Sequence, residues 1–146
     1  MTPSEAQPPA IERDQLLPLF AAAMPSFLPI WHSFLNERKD ERDLPLYRAL
    51  SDLAHHLIDQ LADGDVSDFP RVFELVECCQ VSGDAYVQEA VTIGLLEDLQ
   101  NLNLHSTTTP ADFEVWLHPR SKVMWRSLIR FWSGQSAFVG SDVTDA

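Results

Sequence analysis

The sequence predicts an all-α protein, a single compact domain of six or seven antiparallel helices with short connections. Three observations predict it. Apolar residues recur at three- and four-residue spacing through most of the chain. No stretch alternates apolar and polar side chains as a half-buried strand would. Proline, glycine and acidic capping residues interrupt the pattern where helices would start and stop. With 146 residues, 45% of them hydrophobic, the chain is long enough to bury a core without metal or disulfide support.

Residues 1–10 place Pro3, Pro8 and Pro9 among small polar residues and predict a disordered lead. The helical domain is expected over 11–134, and 135–146 as a flexible tail. The first helix is expected over 11–24, kinked or split at Pro18 and ended by Pro25. A second starts near Pro29, carries Ile30, Trp31, Phe34 and Leu35, and dissolves into the mixed-charge run 37–43. The third is the clearest. Leu46, Leu50, Leu53, Ala54, Leu57 and Leu61 form one stripe, and Gly64 suits a left-handed cap.

Ser67 or Asp68 is placed to cap a fourth helix with Pro70 in its first turn, burying Phe69, Val72, Phe73 and Val76. Asp84 is placed to cap a fifth, running to about Asn103, with Val87, Ala90, Val91, Gly94, Leu95, Leu99 and Leu102 inward. Gly94 in mid-helix costs about 1 kcal/mol relative to alanine, which implies close approach of a neighbouring helix. Thr109, Pro110 and Asp112 read as the start of a short helix to Leu117. Pro119 opens the last helix, which ends at Gly134 and buries Met124, Trp125, Leu128, Ile129, Phe131 and Trp132. The third to fifth helices have the layout of a short helical-repeat layer, though no fixed period repeats.

Net charge is −12, and it is unevenly placed. Residues 49–119 hold thirteen acids against Arg71 alone, while 1–48 and 120–146 nearly balance at −2 and +2. Such a segment repels nucleic acid and anionic membranes and attracts a cationic partner. The last helix has Lys122, Arg126 and Arg130 at four-residue spacing, suited to its helix dipole or to internal pairing with the acidic middle.

Cys78 and Cys79 are adjacent, so they cannot easily pair with each other and lack redox or zinc spacing; one buried thiol and one partly exposed thiol are expected. Neither a secretory leader nor a membrane-length apolar run is legible, and a cytoplasmic location is expected. Asp52 and His55 have one metal-like spacing, but a bundle metal site needs more such fragments, so neither metal nor cofactor is expected. No phosphate loop, nucleophile elbow or HExxH motif occurs, and no enzymatic activity is expected.

The segments Phe73-Glu-Leu-Val-Glu77, Gly83-Asp84-Ala-Tyr-Val87 and Gly94-Leu-Leu-Glu-Asp-Leu99, with the upstream stretch 46–62, resemble small acidic all-helical immunity (antitoxin) proteins of bacterial polymorphic toxin systems. The likeness covers about residues 20–103. It implies an inhibitor held in the cytosol of the toxin-producing cell, with Glu77, Asp84 and Glu97 matching the family's pattern. The expected function is therefore to bind and neutralise a cognate, cytosol-acting, basic toxin domain through an acidic helical face, by a monomer or weak homo-oligomer that binds neither nucleic acid nor membrane. The alternative is a helical adaptor for some other cellular protein. The expected contact residues are Asp52, Asp59, Asp63, Asp65, Glu74, Glu77, Glu89, Glu97 and Asp98, with Trp116 and Trp125 as aromatic anchors. Reversing Glu74, Glu77 and Asp59 to lysine is expected to abolish binding and leave the helices intact.

Overall fold

Residues 9–134 are described by the computed structural model, and they form seven α-helical segments joined by shorter turns. The expected disordered lead and flexible tail lie outside these residues, except for Pro9 and Ala10. Helix α1 (Arg13–Ala23) opens on a capping box between Glu12 and Gln15. It runs through Pro18 without splitting. Pro18 is on the exposed side, where water can satisfy the carbonyl it leaves unpaired. The 3-10 turn Pro25–Phe27 then leads into α2 (Leu28–Glu37), and the two rods meet at 113°.

Helix α3 (Leu46–Asp63) buries Leu46, Leu50, Leu53, Ala54 and Leu57 as the stripe predicts, and leaves Leu61 half-buried. Gly64 ends it at φ 76°, a conformation open to glycine because it has no Cβ. Helix α4 (Phe69–Ser82) buries all four predicted apolar residues. Ser67 and Asp68 do not cap it: the Ser67 hydroxyl donates to Asp65, and the Asp68 carboxylate pairs with Arg71.

The next rod is a composite of α5 (Ala85–Glu89), a π-helical stretch (Ala90–Leu96) and α6 (Glu97–Leu99). Asp84 caps it, accepting from the Val87 amide at 2.9 Å. The π-helical stretch packs on α3, and Gly94 explains the closeness: a Cβ there would stand 3.0 Å from Leu50 Cδ1. The rod stops at Leu99, short of the expected Asn103. The Asn101 side chain accepts from the Asn103 amide at 3.0 Å and starts a separate 3-10 turn, Leu102–Leu104. Leu102 is consequently exposed rather than inward.

The segment Pro110–Trp116 is 3-10 rather than α-helical, with the expected Thr109/Asp112 capping box. It brings Phe113 against Phe69 and Phe73, with ring centroids 5.9 Å apart in each case. Helix α7 (Pro119–Trp132) packs on α4 and buries Ser121, Trp125, Ser127 and Leu128. At the opposite end of the chain, the Ile11 amide donates to Ser82 O and the Asp84 amide donates to Ile11 O, tying the N-terminal segment to the α4–α5 turn. Among the described residues there is no strand beyond this isolated bridge, and no single helix is long and apolar enough to cross a membrane.

Candidate functional site

Two depressions are lined by some of the acids expected to make contact. The first lies between α2 and α3, where Asp52 and Asp59 stand with Glu37, His55 and His56 over Ile30 and Phe34, around a volume of about 260 Å³. The acids repeat at this edge because positions seven apart on a helix share one side. His56 accepts or donates at 2.7 Å to Ser26 Oγ, which links α3 to the Pro25–Phe27 turn. Burial lowers the pKa of His56, and Asp59 and Asp65 oppose that shift, so burial favours the neutral ring. Among the described residues no three His, Cys, Asp or Glu side chains group as a metal would require.

The second depression is a groove of about 650 Å³ between α6, the Pro110–Trp116 segment and the end of α7. Its apolar lining comes from Leu102, Pro110, Trp125, Ile129 and Trp132, and its carboxylates from Glu97, Asp98 and Glu114. Leu102 is 69% exposed and Trp132 62% exposed, large values for side chains of that size. Partial burial raises the Glu97 pKa, and neighbouring Asp98 raises it further. At the groove wall the Gln100 amide donates to Trp125 O at 2.9 Å.

The expected contact residues thus separate. Asp52 and Asp59 come together in the first depression, and Glu97 and Asp98 in the second. Asp63 and Asp65 sit exposed at the end of α3, Glu74 on the outer side of α4, and Glu89 beside Tyr47, whose pKa it raises after burial does so. Among the described residues ion pairs join Arg38 to Glu37 and Glu41, and Arg71 to Asp68; Asp52, Asp59, Asp63, Glu74, Glu89, Glu97 and Asp98 have none.

Two expectations are corrected. Glu77 is not a surface contact: its carboxylate accepts from the Arg120 and Ser121 amides at 2.9 and 2.8 Å and caps the start of α7 from another helix. The Glu77 reversal expected to leave the helices intact would therefore remove a structural contact. Trp125 is 2% exposed, so its ring is held in the core and not displayed on the surface, although it lines the second depression. Trp116 is half-buried, edge-on to Phe69 at 5.6 Å.

The apolar end of α7 was misread in the sequence. Ile129 and Trp132 continue the stripe of Trp125 and Leu128, so they predict burial, yet no described element covers them. A stripe that meets a core and a stripe left open have the same spacing. Their one sequence signal is position: they fall in the final turn, where a helix can overhang its neighbours. Leu102 and Glu114 carried no signal at all, since they sit on 3-10 turns.

The family model of a domain of unknown function, DUF7674, matches residues 17–133. The chain belongs to the DUF7674 family. No curated protein and no solved structure matches it. The DUF7674 match spans every helix from within α1 to the end of α7, and so takes in the groove as well as the α2–α3 depression. Within this DUF7674 domain the two thiols divide as expected. Cys78 is exposed, and Cys79 is buried, its pKa pushed up to about 12 by burial and then by Cys78, which makes it a poor nucleophile.

Proposed function

We propose that this DUF7674 domain is a cytosolic immunity protein, which binds a cationic toxin domain and blocks it without catalysing a reaction. The observation that carries the reading is the set of acids on α3, α4, α5 and α6 that have no ion-pair partner among the described residues. A protein whose negative charge served internal cohesion would pair those groups with its own Arg and Lys side chains. Left unpaired, they give a negative field that steers a positively charged polypeptide and sets its orientation. The likeness of 73–99 to immunity proteins supports the toxin as the partner, and the acidity supports one whose target-binding surface is basic.

The test is coexpression with the product of the neighbouring gene. The reading expects that product to be toxic alone, to be tolerated with this protein, and to copurify with it as a stable complex. A neighbouring product that copurifies and has no toxicity would favour an adaptor role. Toxicity that persists despite equal expression of the two proteins would refute the immunity reading.

A further inference from the structure

The groove at the end of α7 has a feature that the other acidic patches lack. Trp125 lines it, is 2% exposed, and has an indole Nε1 with no hydrogen-bond partner among the described residues. A buried N–H without an acceptor is rare in native proteins and calls for an explanation. Around it lie the exposed apolar surfaces of Leu102, Ile129 and Trp132, and at the rim the carboxylates of Glu97, Asp98 and Glu114. Among the described residues no Lys or Arg lines the groove.

We propose that this groove receives one segment of the cationic partner polypeptide, with an aliphatic side chain seated between Leu102, Ile129 and Trp132 and a neighbouring Lys or Arg at Glu97, Asp98 and Glu114. This inference rests on the protein-binding reading above and specifies its contact. Each component answers a separate need of the site. The apolar side chain removes Trp132 and Leu102 from water, and the cation meets carboxylates that otherwise crowd one another. Tryptophan is also enriched among the residues that dominate binding at interfaces. The raised Glu97 pKa agrees, since a cation placed there would relieve the crowding with Asp98.

The probe is the acetylated, amidated peptide Lys-Leu-Lys-Leu-Lys, titrated into ¹⁵N-labelled full-length protein. The Trp125 indole resonance is expected to move as the groove fills, and to saturate. Binding should weaken at least tenfold in the Glu97→Gln/Asp98→Asn variant and in Trp132→Ala. Three results would overturn the assignment: equal binding by Glu-Leu-Glu-Leu-Glu, equal binding by Lys-Ser-Lys-Ser-Lys, or saturation with the Trp125 resonance unmoved. Movement of that resonance on Phe138→Ser without peptide would assign the groove to the chain's own residues 135–146, and would overturn it too. A toxin captured equally by wild type and by the groove variants would refute the groove and leave the immunity reading standing. Failure of the wild type to capture any neighbouring toxin would refute that reading, whatever the peptide does.

Discussion

A carboxylate beside the first free amides of a helix gains two hydrogen bonds and the favourable end of the helix dipole together. Glu77 has this position at the start of α7, half-buried and fixed by its own helix α4. Hydrogen bonds to a charged group contribute more than neutral ones, so Glu77→Ala should cost about 2 kcal/mol in urea unfolding. A loss under about 0.5 kcal/mol, the scale of an ordinary surface change, would mean that the cap contributes nothing. Glycine gives a second comparison. At Gly83 an added Cβ would stand 2.4 Å from Cys79 O and 2.6 Å from Val87 Cγ1, both held in place. At Gly94 the nearest atom, Leu50 Cδ1, is 3.0 Å away and ends a side chain that can turn. Alanine also favours a helix over glycine by about 1 kcal/mol, which offsets strain at Gly94 alone. Gly83→Ala should therefore destabilise by about 1–3 kcal/mol, and Gly94→Ala by clearly less. Equal melting temperatures for the two variants would contradict this ordering.

On the scale of elements, α7 divides into a part that holds the fold and a part that faces outward. Trp125 is 2% exposed and Trp132 62% exposed, though they lie seven residues apart on one stripe. Trp125→Ala should cost about 3–5 kcal/mol, as for other large core truncations. Trp132→Ala should leave stability within about 0.5 kcal/mol. Denaturant midpoints that fall alike in both variants would show that the final turn is covered. Glu97 adds a pH dependence. Its pKa in the folded state is raised, so the folded protein holds its proton to higher pH than the unfolded chain does. Stability from this group is thus present at pH below the ordinary carboxylate range and is lost as pH rises through the raised value. Glu97→Gln should accordingly stabilise the protein at pH 7 and have little effect at pH 3.5. A variant less stable than wild type at pH 7 would reverse the sign. The helices themselves were legible because α3, α4 and the 85–99 rod are long enough for periodicity and caps to agree: Leu50, Phe73, Val91 and Asp84 all fall as expected. The groove was not legible. Leu102 left its helix through a local Asn101 hydrogen bond, and Ile129 and Trp132 share a core residue's spacing without a core. Glu77 carried the same charge signal as Glu74, and only tertiary structure, the approach of α7, separates a cap from a surface acid.

For the whole molecule the relevant quantity is the net charge of −12, which acts over about one Debye length, about 8 Å at physiological salt. Charges within that range of a docking cationic partner change the encounter rate, while the contacts made after docking set the lifetime of the complex. Asp59 and Glu74 are suited to test this separation. Both are exposed, neither has an ion-pair partner among the described residues, and neither lines the groove of Trp125. Reversing both to lysine replaces two negative charges by two positive ones, a net change of +4, and breaks no ion pair or side-chain hydrogen bond among the described residues, so helical circular dichroism and the unfolding midpoint should hold. If the proposed cationic toxin domain is the partner, its association, followed by stopped-flow fluorescence, should slow about tenfold at low salt and converge on the wild-type rate as salt rises. Dissociation should change little. The groove pair Glu97→Gln/Asp98→Asn should act the other way, speeding dissociation more than it slows encounter, because the proposed docking puts its carboxylates against the guest. If reversal at Asp59 and Glu74 left the low-salt rate at the wild-type value, long-range attraction would have no part in recognition, and only the contact at α7 would remain to explain a complex.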